Sequence, residues 1–77
     1  MSNRTYELIG VQEIANLLEK DRQTIVMWKH QGKLPKPMTY ISNTPIWNKT
    51  EFVNDILLDD FIMTRIADDT KRELSNG

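Results

Sequence analysis

Two residues, Glu19 and Lys20, are all that separates one helical signal from the next. Upstream, Val11, Ile14, Ala15, Leu17 and Leu18 recur at the i, i+3, i+4, i+7 spacing that gathers apolar side chains on one helix face. That predicts a helix over 11–19, with Gly10 a tolerable cap. Downstream, Asp21 is a good N-cap, Thr24, Ile25 and Trp28 share a face, and Gly32 stands where a helix stops, so a second helix is predicted over 22–31. A connection this short does not let the two helices run back to back. They must cross steeply, in the geometry of a helix-turn-helix.

The stretch "KLPKP" after Gly32 turns the chain away, because each proline lacks an amide hydrogen and pushes the residue before it toward extended geometry. Residues 38–41 and 46–47 then read as strands of a small hairpin with Ser42, Asn43 and Thr44 at its tip, and Pro45 predicts an edge position for its strand. Asn48 followed by Glu51 is an N-cap with a reciprocal partner, opening a third helix whose apolar face is Phe52, Val53, Ile56 and Leu57. With no glycine or proline from there to Asn76, that helix either continues or breaks near Asp59 and Asp60. The fold class this implies is mainly α with a small β-hairpin, followed by an added C-terminal helical segment.

Function classes are then narrowed by what is missing. A chain of 77 residues has room for one small core and little for an enclosed active site. Without cysteine there is no disulfide, thiolate nucleophile or cysteine-bound zinc, and the single His30 does not make a histidine metal site. Asp59, Asp60, Asp68 and Asp69 lack ligand-loop spacing and read as a solvated face. His30 has no Ser or Cys partner at a suggestive spacing, and no glycine-rich phosphate cradle occurs. No enzyme, cofactor or metal is expected. An N-terminus without an apolar core and no apolar run near ~20 residues give a cytoplasmic expectation with no membrane partner.

The net charge of −1 conceals a strong local imbalance. Residues 20–50 carry Lys20, Arg22, Lys29, Lys33, Lys36 and Lys49 against Asp21 alone, a balance of +5, while residues 1–19 sum to −2 and residues 51–77 to −4. This is the charge pattern of a basic working surface beside an acidic tail.

The succession "VQEIANLL", "DRQTIVMWKHQGKLPKP" and "IWNKTEFVNDIL" resembles the excisionase-like branch of the MerR-type winged helix-turn-helix family, over about residues 8–57. Thr24, Trp28, Gly32, Leu34, Pro35 and Pro37 together carry the likeness. The family usually has glycine in the turn, where this chain has Glu19, and arginines before the tryptophan of the wing, where it has Asn43, Thr44 and Pro45. The resemblance implies a winged helix-turn-helix DNA-binding domain over 1–58, with 59–77 as a helical acidic tail.

In such a fold the second helix lies in the major groove. With Ile25 and Trp28 turned inward, Arg22, Gln23, Val26 and His30 face outward, and Met27 joins Val26 as a possible contact to a thymine methyl. Arg22 and Gln23 suit guanine and adenine edges. Lys20, Lys29, Lys33, Lys36 and Lys49 suit phosphate, which positions a protein without reading sequence. Tyr40, Ser42, Asn43 and Thr44 would form the wing. Trp28 and Trp47 could stack on single-stranded bases, but their spacing favours the core.

The expected function is sequence-specific recognition of double-stranded DNA, as a transcription regulator or excisionase-type factor of a phage or other mobile element. The alternatives are a small terminase-type subunit recognising DNA for packaging and a protein-interaction adaptor using the acidic tail. Leu58, Phe61, Ile62 and Ile66 recur at spacings of three and four, so the tail is expected to mediate self-association, giving a homodimer or cooperative assembly on DNA, or else to fold back and finish the core.

Overall fold

The computed structural model describes residues 7–76. In chain order these form β1 (Leu8–Ile9), α1 (Val11–Leu18), α2 (Arg22–His30), β2 (Thr39–Ile41), β3 (Thr44–Asn48), α3 (Lys49–Leu57), α4 (Asp60–Met63) and α5 (Asp68–Asn76). The chain is mainly helical, with one small antiparallel sheet ordered β1-β3-β2.

The tight connection between α1 and α2 depends on how α1 ends. The N–H groups of Glu19 and Lys20 donate back to the carbonyls of Asn16 and Ala15, at 3.2 and 2.9 Å. This crossed pair satisfies last-turn carbonyls but needs one residue in the left-handed region. Glu19 supplies it at φ 57°, ψ 48°. The end of α2 repeats the arrangement with a better-suited residue: Gly32, at φ 74°, donates to Lys29 at 3.1 Å while Lys33 donates to Trp28 at 2.8 Å. A Cβ on Gly32 would meet nothing within 4 Å, so the dihedral angle, not crowding, requires glycine. At the other end of α1 the Glu13 carboxylate accepts the Gly10 N–H at 2.9 Å, one half of a capping box whose other half needs a side chain that glycine lacks.

Past Gly32 the proline-rich exit is pinned by one hydrogen bond: the Trp47 indole N–H donates to the Pro35 carbonyl at 2.9 Å. The hairpin differs from expectation in two respects. Its tip is two residues rather than three, because Thr44 already pairs with Ile41, and Ser42 and Asn43 both take positive φ (50° and 66°). Such a turn matches the natural twist of the strands it joins. The edge position expected for the Pro45 strand is overturned, since β3 is central. Proline fits there because β1 reaches only Trp47 and Asn48, which leaves Pro45 paired on one side alone, with Tyr40. β1 itself is too short to show a period in the sequence.

Asn48 caps α3 as expected, its side chain accepting the Glu51 N–H at 3.1 Å. The helix then breaks at Asp59, whose Oδ1 accepts the N–H groups of Phe61 and Ile62 at 2.9 and 3.3 Å and starts α4. The 59–77 tail is therefore helical in two pieces, with residue 77 outside the described residues. Its apolar stripe takes the second of the two courses expected of it and folds back onto the core. Ile62 and Ile66 are buried in the same cluster as Ile25, Trp28, Phe52 and Ile56, and Phe61 is half-buried against it. Of the four stripe residues only Leu58, 86% exposed, remains on the surface. The stripe folds back because the cluster formed by α1, α2 and α3 is too small to close without it. The boundary drawn after residue 58 accordingly does not separate two cores, since Ile62, Ile66 and Leu74 belong to the first.

Candidate nucleic-acid interface

Helical spacing decides what α2 offers to solvent. Ile25 and Trp28 are buried, and Trp28 meets Phe61 edge to face at 5.8 Å between ring centres. Arg22, Gln23, Met27 and His30 are exposed on the other side, as their spacing predicts. Val26 is the exception: it is half-buried and packed against the core, so its side chain is only partly available. It neighbours Ile25 along a helix only nine residues long, too narrow to keep every intervening position clear of the core.

Two features relate the hairpin to α2. Arg22 and the hairpin residues Asn43, Thr44 and Pro45 line one open groove of about 460 Å³, whose walls also include Gln12 and Glu13 of α1. Further along, the Lys29 Nζ lies 5.7 Å from the centre of the Tyr40 ring. Tyr40, Ser42, Asn43 and Thr44 are all exposed. The structure thus sets Lys29 against Tyr40, and puts Arg22, Asn43 and Thr44 around one groove. Lys33 and Lys36 are exposed on the exit held by Trp47, and Lys20 is half-buried in the turn before α2.

Lys49 belongs elsewhere. Its ammonium pairs with the Glu7 carboxylate at 3.6 Å, and its backbone N–H donates to the Glu7 carbonyl at 2.9 Å. It lines an open cavity of about 800 Å³ together with Glu7, Glu13, Glu19 and Glu73, walled by α1, α3 and α5. No residue of α2 or the hairpin reaches that cavity. The first position of α3 directs Lys49 toward β1, because the β1–β3 pairing sets Leu8 opposite Asn48. Lys49 is thus set apart from Lys33 and Lys36, paired with a carboxylate where, among the described residues, they are not.

The pairing of charges sorts the cations into two sets. Among the described residues, Lys49, Lys71 and Arg72 have carboxylate partners, the last two through Asp68 at 3.4 Å and Asp69 at 2.8 Å. Lys20, Arg22, Lys29, Lys33, Lys36 and Arg65 have none. Three of these six lie on aromatic rings instead: Lys29 on Tyr40, and both Lys33 and Arg65 on Phe61, at 4.8 and 3.8 Å. A ring holds a cation in place without cancelling its charge. Arg65 is the residue sequence reasoning missed, having been counted with an acidic tail. The available signal was its i, i+4 spacing from Phe61.

Among the described residues no group of three or more His, Cys, Asp or Glu side chains could hold a metal ion, and no helix is long and apolar enough to cross a membrane. No family model, curated protein or solved structure matches the chain.

Proposed function

We propose that this chain is a sequence-specific double-stranded DNA-binding protein, similar to the excisionase-like winged helix-turn-helix proteins and acting as a transcription regulator or excisionase-type factor of a phage or other mobile element. In this reading α1 supports, α2 enters the major groove with Arg22 and Gln23 foremost, and the β2–β3 hairpin is the wing. The observation that carries it is the unneutralised set of cations on α2, its flanking turns and Arg65, in a chain whose other described cations are ion-paired. Phosphate supplies the missing negative charge. Lysines would anchor, while the exposed Arg22, Gln23, Met27 and His30 would meet base edges. Two copies would come together through the spacing of half-sites on DNA, since the tail stripe is occupied within one chain.

Fluorescence anisotropy with labelled duplexes over a range of salt tests this. A log–log slope of about −0.9 per phosphate neutralised is expected, with Lys33→Ala and Lys36→Ala each reducing its magnitude by about one. Affinity that is indifferent to salt rules the reading out. A second reading, an adaptor that docks a protein, is favoured by the acid-rimmed cavity between α1, α3 and α5. It predicts a partner with basic character and no DNA-dependent signal.

A further inference from the structure

The geometry points to a two-cation phosphate site made by Lys33 and Arg65 around Phe61, which brings the C-terminal segment into contact with the DNA backbone. The inference rests on the proposed DNA-binding function. Lys33 follows α2 and Arg65 follows α4, and 31 intervening residues make neither a signal for the other. The fold joins them through one ring. Phe61 packs edge to face on Trp28 of α2, and the heads of Lys33 and Arg65 lie 4.8 and 3.8 Å from its centre. Whatever their arrangement around the ring, the two charges stand closer together than the ~10 Å Debye length at 0.1 M salt, so they repel one another.

Among the described residues no carboxylate forms an ion pair with either cation: Asp68 and Asp69 pair with Lys71 and Arg72, and the Asp59 carboxylate accepts the N–H groups that start α4. Arg65 is nevertheless fixed in place. Its Nη1 donates to the Phe61 carbonyl at 2.9 Å and the Thr64 hydroxyl oxygen at 3.1 Å, which leaves the other guanidinium donors free. A cation braced on backbone and ring, with donors to spare and a second cation beside it, is suited to a phosphodiester oxygen.

Four variants test the site on the full chain, with thermal melting to check folding: Arg65→Gln, Arg65→Lys, Lys33→Gln and Arg72→Gln. Each is titrated against duplexes of several sequences across a range of salt. Arg65→Gln and Lys33→Gln should each weaken every duplex by the same factor and reduce the salt slope by about 0.9. Arg65→Lys should keep the slope, and Arg72→Gln, which breaks a paired surface cation, should change neither quantity. If Lys33→Gln has its effect while Arg65→Gln leaves affinity and slope unchanged, DNA binding stands and the two-cation site is wrong. If Arg65→Lys loses as much slope as Arg65→Gln, the charge is not what DNA reads and the site is again wrong. If no variant alters a salt-independent signal, the DNA-binding reading itself falls.

Discussion

Glu19 shows how a single residue can carry a cost that the surrounding fold imposes. A left-handed conformation costs a residue with a Cβ roughly 1–2 kcal/mol, yet the crossed hydrogen bonds closing α1 require it, and only Lys20 follows before α2 is capped. Glu19→Gly should therefore raise the unfolding free energy by about 1 kcal/mol, less whatever glycine's freedom adds to the unfolded chain. Chemical denaturation of the two proteins measures it, and an unchanged or lower midpoint would mean the turn is not under strain. The resemblance marked this position, since the similar family usually has glycine in the turn where this chain has Glu19. Lys49 was not legible in the same way. Its partner Glu7 comes into reach only through β1, and a two-residue strand leaves no periodicity to read.

At the scale of elements, α2 was the most legible, because its starting point, its inward face and its stop residue are all local features, although the Asp21 side chain makes no capping hydrogen bond. Its outward face carries the prediction that belongs to it. Arg22→Ala and Gln23→Ala should weaken binding to a selected site by ~1–3 kcal/mol and to unrelated duplexes much less. Competition binding with both DNAs decides; equal losses would reduce these residues to backbone contacts. The hairpin was legible in outline. Its turn was misjudged by one residue because Ser42 is not a habitual occupant of a positive-φ position, so Thr44 was assigned to the tip instead of the strand. The third helix was capped as read. Its continuation was ambiguous because two outcomes share one pattern: apolar residues at spacings of three and four suit a long helix and also two short ones hinged at Asp59.

For the whole molecule, the tail carries two readings in the sequence because periodicity reports that a face must be buried, without saying against what. A stripe left over from a small domain is equally consistent with a partner and with its own core. Here Ile62, Ile66 and Leu74 complete the cluster around Trp28 and Phe52. Burial of each such side chain stabilises by about 1.5–3 kcal/mol, so losing all three removes a large part of the 5–15 kcal/mol that holds a domain together. A chain cut after Leu57 should consequently lose cooperative melting and DNA affinity together, whereas the full chain should sediment as a monomer at micromolar concentration in the absence of DNA. A truncated chain that melts cooperatively and binds DNA would return the tail to the role of an appendage. The same dependence has a genetic reading. Every residue of α2 is synthesised well before the residues that close its core, so an interrupted message yields the basic helix without a fold to present it. Under the proposed function, nonsense mutations between codons 57 and 74 should then behave as recessive losses, because the shortened product has no folded surface with which to compete with the intact protein for DNA.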